Sequence, residues 1–230
     1  IKAICELNNL NTSSSDSRQK FAIKNLTYRI RTRLLNINQK HRATLNGPTF
    51  DDFSSLIEHF GIFTPAEEKS KTFHEELEIY YAAHRLLLTV GNDLAARSYL
   101  IDFTDMIYLP FVWKLNAATK YDWIFIDECQ DLSKAQFAVA AKYGKQGSRV
   151  LAVGDTRQSI YGFTGADVES FSRVARMTRA TALPLTTCFR CPTKVIELAQ
   201  EIREDIVGAK TDLGNVEPIL IEQVTDLARP

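Results

Sequence analysis

Trp123-Ile124-Phe125-Ile126-Asp127-Glu128-Cys129-Gln130-Asp131 is the stretch on which the fold turns. Four apolar residues in a row are what a strand buried in a parallel sheet requires. The carboxylates that follow arrive at its carboxyl end, the edge of an open α/β sheet where ligands bind. Mg²⁺ takes oxygen ligands, few from protein and the rest from water and phosphate. One carboxylate can hold such an ion while its neighbour orients or deprotonates an attacking water. Taken alone, the pattern also fits a charged turn after a strand.

Downstream, Ser133 and Gln136 form the signature of a capping box for a helix through Tyr143. Val150 to Val153 reads as a second buried strand, ending in Gly154-Asp155. Leu183 to Thr186 is a candidate third strand. Pro192 opens a helix carrying Val195, Ile196 and Leu198, and Val216 to Ile221 reads as another strand. Strands alternating with helices imply an α/β layer with parallel strands. Upstream the pattern is helical. Residues 1–17 are polar and read as a loop or a poorly ordered end. From Arg18 to Ile37, Ile23, Leu26, Ile30, Leu34 and Ile37 recur at three- and four-residue steps. Asn46-Gly47-Pro48 is a turn. Thr49 with Asp52, and Thr64-Pro65 with Glu67, mark two further helix starts. The second continues through Phe73, Leu77, Tyr80 and Tyr81 toward Leu88, either unbroken or with a break on the way, with Gly91-Asn92 as its stop.

Val153 to Ala166 gathers a Gln, two aromatic residues and three glycines into one loop after the second strand. A neutral Gln can report a γ-phosphate without adding charge. Aromatic rings beside glycines can form an open stacking platform for bases. For any single aromatic the simpler reading is a core residue under a loop.

At this point a family resemblance becomes specific. Asp127-Glu128-Cys129-Gln130-Asp131 resembles motif II of the UvrD/Rep helicases. Gly154-Asp155-Thr156-Arg157-Gln158-Ser159-Ile160-Tyr161-Gly162-Phe163 resembles their motif III, and Leu185-Thr186-Thr187-Cys188-Phe189-Arg190 their motif IV. Ile101 to Ile107 is similar to the segment that leads into motif II. Order and spacing agree across residues 101–200, whereas residues 1–100 match only in helical character.

The resemblance implies an α/β fold with a RecA-like parallel sheet and helices on both faces, preceded by a mostly helical domain. Residues 1–100 would be a helical insertion of the first motor domain. Residues 101–178 would be the carboxyl half of the first RecA-like domain, and 179–230 the start of the second. ATP and Mg²⁺ are the implied cofactors, in a cleft between the two motor domains, and single-stranded DNA the implied partner, tracked from 3′ to 5′. Asp127 would hold the metal, with Glu128 beside it activating the hydrolytic water. Gln158 would sense the γ-phosphate. Arg190 would stabilise charge on the transferred phosphoryl, and Phe189 would pack on adenine. Tyr161 and Phe163 would lie near the DNA, with Phe163 stacking on a base.

Two departures stand out. Thr164 occupies a position where the family often has Arg. No Gly-x-x-x-x-Gly-Lys-Ser/Thr loop occurs, and Gly144-Lys145-Gln146 and Gly208-Ala209-Lys210-Thr211 do not replace it. That loop supplies amides and a Lys for the β- and γ-phosphates. The expectation is that this chain binds ATP weakly or not at all by itself. The amino- and carboxyl-terminal parts of the same motor would then complete the site.

Composition narrows the alternatives. No apolar run approaches the roughly 20 residues that cross a bilayer, and no secretory signal is visible. Four cysteines, Cys5, Cys129, Cys188 and Cys191, do not suggest a disulfide framework. A reducing, cytoplasmic setting fits best. Lys+Arg and Asp+Glu are equal at 28. The balance hides a basic start, because residues 1–50 carry nine basic and two acidic side chains. That segment could face phosphates, although a solvated helix face is the simpler reading. Cys188-Phe189-Arg190-Cys191 could be half a zinc site or a redox pair. Small residues flanking a functional Arg is the preferred reading. An inactive helicase-like scaffold and the motor of a nuclease–helicase fusion are the competing functions.

Overall fold

The structure, a computed structural model, describes residues 1–158 and 170–218. It divides into two compact units, Ile1–Ala180 and Thr181–Pro230.

The first unit opens with helices α1 (Lys2–Leu7), α2 (Ser17–Thr44), α3 (Phe50–His59), α4 (Pro65–Glu68), α5 (Phe73–Ser98) and α6 (Phe103–Val112). The α2 stripe buries Leu26, Ile30 and Ile37 against Phe53, Leu56, Phe63 and Tyr80. Each such side chain contributes about 1.5–3 kcal/mol when withdrawn from water. The start of α2 is set by Asp16, whose carboxylate accepts from the Arg18 amide at 3.0 Å. Thr49 with Asp52 and Thr64 with Glu67 form complete capping boxes.

Two expectations for this part need correction, and one alternative is decided. Residues 2–7 are helical rather than loop, because Ile4 and Cys5 are drawn into the α2–α3 core. The helix after Thr64 does break, ending at Glu68 before a separate helix begins at Phe73. That helix does not stop at Gly91-Asn92 but continues to Ser98, ending at Tyr99 in the left-handed region at φ 55. An interior Gly costs about 1 kcal/mol relative to Ala. Here the cost is offset by Leu88 and Ala95, on either side of it, packing with Tyr108 and Leu109.

Strands β1 (Tyr121–Ile126) and β2 (Gly144–Ala152) flank α7 (Lys134–Lys142) and pair in parallel. The register places Ile124 beside Val150 and Ile126 beside Ala152. Those residues face a core completed by Cys129, Phe137 of α7 and Val174 of α8 (Ser170–Thr178). The expected burial on both faces is not found. Trp123, Phe125 and Leu151 alternate with the buried set and are exposed, Phe125 at 70%. Among the described residues the sheet therefore carries a packed layer on one face only.

In the second unit, β3 (Thr187–Cys188) pairs in parallel with β4 (Val207–Gly208), and α9 (Thr193–Gln200) connects them. Ile196 of α9 is buried against Gly208, where an added Cβ would lie 3.2 Å from its side chain. The strand expected at Leu183–Thr186 is found just after it, at Thr187–Cys188, and β4 has no counterpart in the sequence reading. Residues 216–218 form no strand, and 219–221 lie outside the described residues.

Candidate functional site

The carboxyl ends of β1 and β2 gather three of the candidate residues. The parallel ladder continues past both strands: the Val153 amide donates to the Ile126 carbonyl at 2.8 Å, and the Cys129 amide to the Val153 carbonyl at 2.9 Å. Asp127 and Glu128 leave β1 at this edge, and both are exposed. The Glu128 amide donates to Asp127 Oδ1 at 3.0 Å, which leaves Oδ2 open. Glu128 has φ 50, a left-handed conformation that costs an ordinary residue about 1–3 kcal/mol and clusters at functional sites. It turns the chain into a short 3₁₀ segment, Cys129–Asp131.

Gln130, buried in that segment, joins the two loops. Its Nε2 donates to Glu128 Oε2 at 2.7 Å and to Asp131 Oδ2 at 3.3 Å. Its Oε1 accepts from the Asp155 amide at 3.0 Å. Asp155 Oδ2 in turn accepts from Gln158 Nε2 at 3.0 Å. Glu128 and Gln158 are thus the ends of one hydrogen-bonded chain. Gly154 is required at its centre, because a Cβ there would come within 2.9 Å of Cys129 Sγ and collide with the Gln130 amide.

The motif-II turn is anchored from behind. Ser170 Oγ, at the start of α8, donates to the carbonyls of Cys129 at 3.0 Å and Leu132 at 2.5 Å. Cys129 is buried in the core behind this edge, and burial pushes its thiol above its usual range.

Of the residues singled out in the sequence, Asp127, Glu128 and Gln158 are therefore brought to one edge. Phe189 and Arg190 lie in the second unit, between β3 and α9, and both are exposed. Tyr161, Phe163 and Thr164 lie outside the described residues. Gln130 and Asp155 were overlooked as connectors. Their presence inside the two motifs was the available signal, but a coupling between loops 25 residues apart is not written in local spacing.

No group of three or more His, Cys, Asp or Glu side chains able to hold a metal exists among the described residues. An adjacent carboxylate pair still fits Mg²⁺ on a nucleotide, since that ion binds through one or two carboxylates with phosphate and water completing its shell.

The basic start of the chain forms a second feature. Arg29 and Arg33 of α2 are both paired with Glu67. Arg18, Lys20, Lys24 and Arg31 are exposed, and none takes part in an ion pair among the described residues. Phe21, Tyr28 and Leu35 recur every seventh residue beside them and are also exposed.

Comparison with known proteins follows the same lines. The model of the UvrD/REP helicase N-terminal domain matches residues 1–178. The ATP-dependent DNA helicase srs2 of Schizosaccharomyces pombe is 30% identical over 168 residues, 71% of this chain and 17% of that protein. DNA helicase II of Haemophilus influenzae is 30% identical over 121 residues, 49% of this chain and 16% of its own length. The ATP-dependent DNA helicase PcrA of Staphylococcus epidermidis is 26% identical over 147 residues, 60% of this chain and 19% of the relative. The chain thus spans less than a fifth of the length of these relatives.

Proposed function

The chain belongs to the UvrD/REP helicase family, and on that premise we propose that it forms part of a DNA-dependent ATPase that moves along single-stranded DNA. The observation that carries this reading is the hydrogen-bonded chain from Glu128 through Gln130 and Asp155 to Gln158. It ties an acidic pair to Gln158, which precedes Tyr161 and Phe163 in the sequence.

Asp127, with Oδ2 open, holds Mg²⁺ on the nucleotide, and Glu128 takes a proton from the attacking water. When bound, the ion neutralises charge on the phosphates. Gln158 contacts the γ-phosphate. A change in its position reaches Glu128 through two intermediates only, which gives nucleotide state and DNA-loop position a common lever. Arg190 stabilises charge on the phosphoryl group and Phe189 packs against adenine. The β1–β2 layer is part of a RecA-like sheet. Residues 1–100 form its helical insertion, 101–178 the rest of the first motor domain present here, and 179–230 the beginning of the second. The direction of travel is 3′ to 5′. A phosphate-binding loop elsewhere in the motor is needed for ATP binding, so this chain alone is inactive. The free cations and aromatic rings of α2 form a further nucleic-acid contact.

The test is single-stranded DNA stimulation of ATP hydrolysis by the protein with its phosphate-binding loop. Stimulation is expected. Phe163→Ala should weaken single-strand binding by about 1–3 kcal/mol if the ring stacks on a base. Hydrolysis indifferent to DNA would contradict the motor assignment, and unchanged affinity would return Phe163 to a packing role.

A further inference from the structure

Ser170 is the first residue of α8, and only 1% of its surface is exposed. Val174, one turn further on, is buried with Ile126, Cys129 and Phe137, and Phe171 packs beside them. The start of α8 is thereby held behind β1. From there the Ser170 hydroxyl reaches the motif-II turn at two points, the Cys129 carbonyl at 3.0 Å and the Leu132 carbonyl at 2.5 Å. A hydroxyl has one proton, so it serves both as a three-centre bond. The turn has little else at those points. Among the described residues, the Cys129 carbonyl otherwise accepts from the Leu132 amide at 3.4 Å, and the Leu132 carbonyl from Arg173 Nη2 at 3.4 Å. Bonds that long are weak. At the head of the same turn stands Glu128, whose φ of 50 is a conformation that its surroundings must hold in place. Two attachments hold it: Gln130, whose Oε1 accepts from the Asp155 amide at 3.0 Å, and Ser170. In sequence, residues 159–169, which include Tyr161 and Phe163, lie between these two attachments.

We propose that Ser170 is a positioning residue for hydrolysis: its hydroxyl carries the presence of single-stranded DNA to Glu128. The inference rests on the functional reading above, in which the DNA meets residues between Gln158 and Ser170. A strand bound there acts on a segment whose two ends are fastened to one turn. Displacement at its start reaches the turn through Asp155 and Gln130. Displacement at its end arrives through Ser170 Oγ at the Cys129 and Leu132 carbonyls. These carbonyls flank Gln130 and Asp131, so the hydroxyl grips the turn as a unit. Cys129 directly follows Glu128, and moving its carbonyl re-aims the carboxylate that takes the proton from water. A serine at a helix start that served only as a cap would turn its oxygen to the amides of its own helix. Here the hydroxyl donates to another segment, 38 to 41 residues away.

The experiment uses the motor with its phosphate-binding loop, with and without saturating single-stranded oligo(dT), and takes two readouts. The first, without nucleotide, is hydrogen exchange at the Asp131 and Leu132 amides, which the turn itself protects. In the unmodified motor, DNA is expected to change these rates. Ser170→Ala should raise them by about threefold to tenfold, as loss of one hydrogen bond dictates, and should abolish the response to DNA. The second readout is ATP hydrolysis. Ser170→Ala should lower kcat in DNA by about threefold or more beyond its effect on the DNA-free rate, with KM for ATP within about twofold. Ser170→Cys keeps the bulk but offers only a weak S–H donor, so it should behave as the Ala variant does. An Ala variant that responds to DNA as the unmodified motor does, or whose two rates fall by one factor, overturns the proposal. So does a Cys variant indistinguishable from the unmodified motor, which would make Ser170 a filler of space. An unmodified motor indifferent to DNA in both readouts would refute the motor reading itself, and this role with it, so the two failures are told apart.

Discussion

At the residue scale, Gln130 is the side chain whose removal is most informative. It is buried, and both ends of its amide are used: Nε2 toward Glu128 and Asp131, Oε1 toward the Asp155 amide. Gln130→Ala removes the acceptor of the half-buried Asp155 amide and the donor shared by Glu128 and Asp131, a loss of about 1–3 kcal/mol. The variant is expected to lower the urea midpoint and, in the complete motor, to lower DNA-stimulated hydrolysis more than basal hydrolysis. Equal losses in both rates would mean that Gln130 only props up the fold. The acids could be singled out in the sequence because an apolar strand delivers them at its carboxyl end and the residues around them resemble a family motif. The connector was not, since a Gln is chosen for what lies opposite it, and what lies opposite is 25 residues away.

At the scale of elements, the packing of α2 against α5 makes a pH-dependent joint. His41 and His84 meet with ring centroids 4.8 Å apart, beside Phe53 and Tyr108. Burial, then Arg85 and Arg42, lowers the His41 pKa to about 4. Burial, then His41 and the same arginines, lowers that of His84 to about 3. Unfolded, both titrate near 6.5. The unfolded chain therefore binds more protons below that pH, so stability is full above about 6.5 and is lost as pH falls toward 4 and 3. The loss between pH 7 and 5 should be on the order of 2–4 kcal/mol in urea unfolding, and His84→Phe should reduce it. A midpoint that does not move would contradict the buried pair. Arg42 is fastened between the same helix and α6, at 2.6 Å from Asp105 and 3.2 Å from Asp102. Helix starts were readable here because capping is local, as at Thr49 and Thr64. The end of α5 was not, because Gly91 is overruled by packing on Tyr108 and Leu109. The free face of α2 allows a separate check. If Lys24 and Arg31 meet phosphates, replacing both with Ala should lower the slope of log affinity against log salt by roughly 0.7 for each on single strands. An unchanged slope would make that face ordinary solvated surface.

At the scale of the molecule, the sheet has one finished face among the described residues. Trp123 and Phe125 stack with centroids 5.9 Å apart, Arg149 lies over Trp123 at 5.2 Å, and Leu151 lies beside Phe125 in register. Parallel sheets are ordinarily covered on both sides, so this chain by itself should associate through that face. Phe125→Ser is expected to reduce light scattering at a given concentration without lowering the thermal midpoint. Scattering unaffected by the change would show that the face is not adhesive. The continuous apolar run at 123–126 foretold two buried faces, and among the described residues one is covered, since a run of four apolar residues does not say which layers surround it. In the first unit the parallel pair of strands and the acidic edge could be anticipated from sequence, whereas the two-residue strands β3 and β4 of the second are too short to leave a pattern.

The most direct measurement is the turnover of Glu128→Gln in the motor with its phosphate-binding loop, in saturating single-stranded DNA. Loss of a general base predicts a fall in kcat of about 10²–10⁴-fold, with nucleotide affinity retained because Asp127 and the phosphate contacts are untouched. Turnover near the unmodified rate would contradict the assignment of the β1 edge as the site of hydrolysis.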